Sequence, residues 1–555
     1  MKRGLPILFM AILCWSGLNA QTRYLDEVFT AVDKDSTNIV YGMNIGIISG
    51  APIPTGFIVT DSMEVGPPGT PFAGTPIYQE PSLSMDVYEP SGDTADTRPL
   101  IIHMHTGTFL PIIHNTNPTG MKDDFASTQF CEAYARRGYV VANIDYRLGW
   151  NPFLTTQSER AASLMTAVYR AIQDCKAAVR YMRLTAMNGN PYRIDTSRIV
   201  LSGQGSGGWV ALGYATVDKL EEIQLPKFLL LDSNNVAYPA IDTAVQGDWD
   251  GYGGLTPFTA PVGYPIMNME NHKGVSDDIN MVLSMGGGMG DLSWLEAGDV
   301  PMAAVHCPTD PTAIFTTGDV SVALIGLVTT DISGSHDVMK KANDLGNNDV
   351  LINAGYSDPY TMAAWDASQD LIGFVDQGGT TITESVENVF PLMTGNSSES
   401  APWDYWDSTM LADVIAPAVG LPTTDGTNAH INGITTNPNM TLTKSVTYID
   451  SVMGYFAPRL VNGLGLPGNT VGIDKNDFET KIKVMPNPSN DYCIVELGHG
   501  EVVELRLYNL TGQLIKSYGE ISQKAVLNLT NLEVGAYVLE ARGKNFKQSF
   551  KLLKN

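Results

Sequence analysis

Ile199-Val-Leu-Ser-Gly-Gln-Gly-Ser-Gly-Gly208 decides how this chain is read. An apolar strand runs into a cluster of glycines, and an Ala-containing segment, Trp209 to Thr216, then opens a helix. Such a stretch forms a sharp strand-to-helix elbow that lifts one side chain to the top of an α/β sheet. In its G-x-S-x-G pattern the residues two before and two after the lifted one are small, because the turn is too tight for bulk. Gly203 and Gly207 hold those places. The residue between them, where a nucleophile belongs, is Gly205.

The surrounding pattern supports an α/β fold. Leu83 to Tyr88 alternates like a strand, and Pro99 to His105 is a continuous apolar run suited to a buried one. Phe125 to Arg137 reads as a helix and Tyr139 to Ile144 as the next strand. Ala161 to Arg183 is a long helix, with apolar residues recurring every three and four positions. Phe228 to Leu231 and Met302 to His306 are further short strands. This alternation predicts a mostly parallel sheet with helices on both faces. Before it, Ile39 to Ile48 and Thr55 to Val59 read as strands between Gly/Pro turns. Residues from about 355 to 428 hold aromatics in a weakly periodic background, which predicts an insertion or lid. Trp403 and Trp406 there suit stacking on a sugar or aromatic ester, although packing of the insertion onto the sheet is the preferred account. Val446 to Phe456 reads as a last helix. Residues 461–482 form a linker, and 483–555 alternate apolar strands with turns, as in a small all-β sandwich.

The 555-residue chain carries 34 basic and 59 acidic residues, a net charge of −25. That balance excludes a nucleic-acid partner, which needs clustered Lys and Arg. Residues 1–20 have the form of a secretory signal: Lys2 and Arg3, an apolar run from Leu5 to Trp15 too short to span a bilayer, and a small-residue site at Leu18-Asn19-Ala20. The remaining domain then runs over 21–460. No other stretch is apolar enough for a transmembrane segment. Cys131, Cys175, Cys307 and Cys493 are scattered without metal-type spacing. Their redox state is open, with Cys131 and Cys175 expected as core thiols on helices. Gly286-Gly-Gly-Met-Gly290 lacks the Lys-Ser or Lys-Thr of a phosphate loop and reads as a loop. No metal and no cofactor is expected.

Leu83-Ser-Met-Asp-Val-Tyr-Glu-Pro90, Arg98 to His105, Asp145-Tyr-Arg-Leu-Gly149, Asp174 to Met182, Ile194 to Ile199 and the elbow occur in order. Together they resemble the carboxylesterase and feruloyl-esterase-like branch of the α/β-hydrolases over about 80–460. Met485-Pro-Asn-Pro-Ser489, Leu507 to Gln513 and Leu532 to Val538 resemble the C-terminal sorting domain of type IX secretion. The second resemblance implies export across inner and outer membranes by the type IX machinery, removal of this domain, and a secreted or cell-surface product. Whether that product is released or anchored is open.

The first resemblance implies a Ser, then an acid, then a His in chain order. Asp310, in the loop after Met302 to His306, matches the acid. His430 follows it and reads as a loop histidine before the final helix, at the base position. The oxyanion hole falls to the backbone of Thr106 and Gly107 in His105-Thr-Gly-Thr108, with Ser206 as second donor. The nucleophile position, Gly205, is vacant. Ser206 serves only as a displaced nucleophile, and Gln204 two residues before it is not small. Two readings stand: a catalytically impaired pseudo-esterase that holds a ligand such as a small or polysaccharide-linked ester, which is preferred, and an active hydrolase using Ser206, His430 and Asp310. On the first reading, Gly205→Ser restores some activity.

Overall fold

The computed structural model describes residues 23–467 and 483–554, with internal exceptions: 48–81 apart from 64–65, 75–76 and 78–79; 233; 257–267 apart from 259; 323–324; 486–488; 498–502; 510–513; 523; and 543–546. The leader expected at 1–20, the strand expected at Thr55 to Val59 and most of the linker lie outside the described residues. The chain folds as two compact units, Met1–Thr470 and Val471–Asn555.

The first unit is built on eight strands: β1 (Val32–Met43), β2 (Ser82–Pro90), β3 (Arg98–Met104), β4 (Val140–Ile144), β5 (Ile194–Gln204), β6 (Met281–Met285), β7 (Met302–His306) and β8 (Val389–Pro391). Their order across the sheet is β1-β2-β4-β3-β5-β6-β7-β8. The β1–β2 and β2–β4 pairings are antiparallel, and every pairing from β4 to β8 is parallel.

Alternation along β3 and β5 sorts the core. Leu100, Ile102, Met104 and Leu201 face one layer, which holds the long helix α2 (Gln157–Met187) and the elbow helix α3 (Ser206–Thr216). Ile101 and Val200 face the other, beside α1 (Phe125–Arg136). Because both faces are covered, β3 is buried at every residue, which is why its sequence is largely apolar, with Arg98 and His103 as its polar members. The start of α2 is fixed by a capping box: Thr156 Oγ1 accepts from Glu159 N–H at 3.2 Å, and the Glu159 carboxylate accepts from Thr156 N–H at 3.0 Å. A buried ion pair, Arg147 Nε to Asp174 Oδ2 at 2.8 Å, ties the loop after β4 to the middle of α2. Cys131, Cys175, Cys307 and Cys493 are free and buried.

Two expectations are corrected. The stretch 355–428 is not wholly inserted, because it supplies β8, which pairs parallel with β7. Three residues, Val-Phe-Pro, are too few to carry a period, and Pro391 is tolerated on an edge strand. His430 lies not in a loop but in a helix, α5 (Thr423–Thr436), which follows α4 (Ser335–Asp344) and precedes α6 (Leu442–Gly463). The Thr/Asn/Gly composition of α5 disfavours a helix. Burial of Ala429 with Ile112, Trp406 and Leu411 outweighs that propensity. Among the described residues no helix is long and apolar enough to cross a membrane.

In the second unit, Lys483–Met485, Tyr492–Glu496 and Lys524–Asn528 form one antiparallel sheet. Leu514–Ile521, Val503–Asn509, Gly535–Arg542 and Lys547–Lys554 form another. Cys493, Val495 and Leu527 of the first sheet share one core with Leu505, Leu539 and Leu552 of the second.

The elbow depends on backbone meeting backbone. A Cβ on Gly207 would lie 2.4 Å from the Met104 carbonyl oxygen and 2.8 Å from that of His105. Gly207→Ala is expected to destabilise the first unit by about 3 kcal/mol or more, since no flexible side chain can give way. Chemical denaturation measures this, and an unchanged midpoint would refute the close crossing.

Candidate functional site

At the carboxyl ends of β5, β6 and β7 the chain makes three linked turns. Gly205 stands at the tip of the elbow with φ 49° and ψ −116°, a backbone shape that strains any residue bearing a side chain. Its N–H donates to the Met285 carbonyl at the end of β6, at 2.7 Å. Gly286 N–H donates in turn to Val305 O of β7 at 2.8 Å. In a doubly covered parallel sheet this is the end where ligands bind.

The volume a side chain on Gly205 would need is already filled. A Cβ there would lie 2.2 Å from Thr106 Oγ1 and 3.1 Å from Thr106 Cβ. Thr106 is held in place from behind. His105 Nδ1 donates to the Thr106 carbonyl at 2.5 Å, and its ring stacks on Tyr146 with centroids 4.6 Å apart. Burial depresses the His105 pKa, so the ring is kept neutral. The Tyr146 hydroxyl donates to the His105 carbonyl at 2.8 Å and lies 2.9 Å from Ser206 Oγ. A phenol has one proton, and the carbonyl takes it, so Ser206 must be the donor to Tyr146. The Ser206 hydroxyl is thus engaged on the first turn of α3. Its N–H and that of Gly207 begin the helix and have no acceptor within it.

The loop beyond Gly107 is strained. Thr108, Phe109, Ile113 and Thr116 adopt φ values of 53°, 58°, 66° and 60°. Three of them are β-branched, for which the left-handed region is costly. Asn115 braces the loop, its Nδ2 donating to Thr119 O at 2.7 Å and to Gly107 O at 3.2 Å. Strain of this kind gathers at functional sites.

Asp310 lies in the loop after β7 and is buried at the cavity wall. Its Oδ1 accepts from Thr312 N–H at 2.7 Å and from Ala313 N–H at 2.9 Å. Burial raises its pKa to about 7 in spite of those two donors. His306 Nε2 is 3.9 Å from Asp310 Oδ2, beyond hydrogen-bond range, and donates instead to Ala313 O at 3.0 Å.

His430 does not join Asp310. Its Nδ1 receives the Trp406 indole N–H at 3.0 Å. An indole only donates, so Nδ1 carries the lone pair and the neutral ring carries its proton on Nε2. A triad base needs the opposite tautomer, with Nδ1–H toward the acid and a lone pair on Nε2. Trp406 therefore occupies the atom through which an acid would orient the ring.

These turns enclose a cavity of about 210 Å³ lined by the indoles of Trp150, Trp209, Trp294, Trp403 and Trp406. Thr106, Gly205, Ser206 and Asp310 line it, and His430 does not. No Lys, Arg or His stands among its described lining residues. Trp403 also packs edge-on against Phe130 of α1, so it both anchors its loop and faces the cavity. Gly286 and Gly290 line it too and are buried, with Gly288–Met289 paired to the strand Gly326–Gly334. Sequence reasoning missed Asp404. It follows β8, is 8% exposed, lines the cavity, and has no hydrogen-bond partner for Oδ1 among the described residues. Burial, reinforced by the Asp124 carboxylate, raises its pKa to about 8. An acid set between two tryptophans, Trp403-Asp-Tyr-Trp406, was the available signal.

Residues 85–312 match the BD-FAE family, and residues 483–555 match the secretion system C-terminal sorting domain. The chain therefore carries an esterase-like α/β-hydrolase domain and a type IX sorting domain, which indicates export and a secreted or cell-surface location. Similar solved structures include esterase 2 of Thermogutta terrifontis phosphoramylated by tabun, at 20% identity over 42% of this chain and 70% of that one, with a TM-score of 0.26. A truncated carbohydrate esterase from gut microbiota is 16% identical over 52% and 81%, also with a TM-score of 0.26. A bifunctional GH43-CE protein of Bacteroides eggerthii is 16% identical over 42% and 29%, again with a TM-score of 0.26. Likeness of that degree carries no argument about activity. No curated protein matches the chain.

The buried acids make stability depend on pH. A carboxyl whose pKa is raised on folding contributes most below the ordinary carboxylate range, and that contribution is lost as pH rises through the folded value. For Asp404 the window runs from about pH 4 to about pH 8. Asp404→Asn is expected to match the parent's melting temperature at pH 4 and exceed it at pH 9. Thermal unfolding at the two pH values tests this, and equal differences at both would refute the buried, neutral state of Asp404.

Proposed function

We propose that this exported protein uses an esterase-like α/β-hydrolase domain to bind a small amphiphilic ligand, without the ester hydrolysis its scaffold suggests. The observation that carries this reading is the Thr106 hydroxyl seated 2.2 Å from where a Gly205 Cβ would stand. The elbow has no nucleophile at its tip, and a neighbour's side chain fills the gap. The aromatic cavity around it remains, of a size for a small ligand or one end of a larger one. The oxyanion donors assigned to Thr106, Gly107 and Ser206 are then polar contacts for a ligand rather than for a tetrahedral intermediate.

Three further contacts weigh against a displaced triad. The Ser206 hydroxyl donates to Tyr146, His430 spends its Nδ1 on Trp406, and Asp310 is satisfied by two backbone N–H groups. A nucleophile needs a base within hydrogen-bond reach, and no hydrogen bond joins any two of these residues. The sorting domain supplies the partner on the export side, the type IX machinery. Domain limits at 21–460, 461–482 and 483–555, with a signal peptide at 1–20, complete the reading.

The purified protein is expected to resist labelling by a fluorophosphonate probe and to leave p-nitrophenyl acetate and butyrate unhydrolysed from pH 5 to pH 9. Gly205→Ser alone is expected to destabilise the fold by about 1–3 kcal/mol through strain and the Thr106 contact. The double variant with Thr106→Gly should regain part of that loss and still lack turnover, since no histidine stands among the described residues that line the cavity. Turnover by the parent protein that disappears in Ser206→Ala would overturn the proposal.

A further inference from the structure

From the cavity wall we infer that the ligand carries a positively charged organic nitrogen, such as an ammonium group, seated between Asp404 and the indoles of Trp403 and Trp406. This rests on the reading above of the cavity as a binding site. Three observations point to it. Asp404 Oδ1 is buried at the wall and has no hydrogen-bond partner among the described residues. A buried polar atom without a partner is costly and rare in folded proteins. Every titratable lining residue is acidic, and no cationic side chain among the described residues enters the cavity to neutralise Asp404 or Asp310. Five indoles surround the space, and the face of an indole attracts cations more strongly than that of any other side chain.

The same features argue against the other classes. An anion would meet two carboxyls and no basic side chain. An uncharged ligand would satisfy Asp404 Oδ1 only as a hydrogen-bond donor or acceptor, leaving the acidic bias of the wall unexplained. Much of the remaining lining is apolar, from Leu164, Met165 and Val168 of α2 with Val328 and Ile332. It suits an alkyl or aryl portion, and Thr329 Oγ1, also buried and unpartnered among the described residues, offers that portion one polar contact. The ligand class is therefore an amphiphilic ammonium compound.

Asp404 faces few other charges. Asp124 raises its pKa and the Thr119 hydroxyl lowers it. Lys444 is held by Glu399 and by Asn437 Oδ1, and Asn437 Nδ2 in turn donates to the Asp404 backbone carbonyl at 2.9 Å. Asp310 is the other acid on the cavity wall. Without a ligand Asp404 is largely protonated near neutrality, so a cation must displace its proton in order to bind.

The test uses the full chain, phenyltrimethylammonium and its uncharged isostere tert-butylbenzene, with tryptophan fluorescence or calorimetry as readout. Phenyltrimethylammonium is expected to bind, with affinity rising roughly tenfold per pH unit between pH 6 and pH 7.5 and levelling near pH 8.5. Asp404→Asn should weaken it at least about tenfold and abolish the pH dependence, while Asp404→Glu retains both. The melting temperature of Asp404→Asn at pH 4 verifies that the variant is folded. Equal affinity for tert-butylbenzene at every pH, binding unaffected by Asp404→Asn, or no binding of the ammonium compound would each overturn the inference. Binding of the isostere alone would leave the cavity reading intact, whereas fluorophosphonate labelling would fail that reading independently.

Discussion

The crossing of β5 and α3 at Gly203 and Gly207 is the contact on which the first unit depends. A Cβ on Gly203 would stand 2.1 Å from the Gly207 carbonyl oxygen, and one on Gly207 would strike the end of β3. Strand, turn and helix are therefore in backbone contact, and three parallel strands deliver their loops to one small region. Tyr146 then joins the loop after β4 to the loop after β3 and to the elbow, and the Arg147–Asp174 pair fastens that same loop to α2. The pair is fully buried, where losing one partner costs far more than the pair itself contributes. Rigidity at this end of the sheet comes from these polar contacts as much as from the apolar layers.

On the proposed reading, that arrangement accounts for a scaffold that stands without a triad. Side chains that hold the elbow in place, Tyr146 and His105, do not depend on a hydroxyl at its tip. Thr106 fills the space that a side chain at the tip would take. Asp310 keeps its place because two backbone N–H groups bind it and it closes the turn after β7. Each surviving residue has a structural partner that accounts for it without reference to a reaction.

Much of the fold was legible in the sequence. The buried run of β3, the period of α2 and the glycines of the elbow each have one dominant physical cause, and each reads directly from residue order. Asp145 to Gly149 and Asp174 to Met182 were visible as separate motifs, though not as the two ends of one ion pair, because sequence does not record pairing at a distance. The site was less legible. β8 is too short to show a period. α5 is made helical by its neighbours, which turned a loop histidine into a helical one bonded to an indole. Asp404 passed unnoticed because its significance lies in burial without a partner, a property of three dimensions.

The seating of Thr106 against Gly205 constrains how this chain can change. Regaining a hydroxyl at the tip requires a second residue to shrink, and shrinking that residue first opens a void that the present fold fills. Each single step is unfavourable, and only the pair is acceptable. On the proposed reading the seating of Thr106 thus works as a ratchet: a hydroxyl at the tip demands two coupled substitutions, and the cavity is shaped by the ligand it holds.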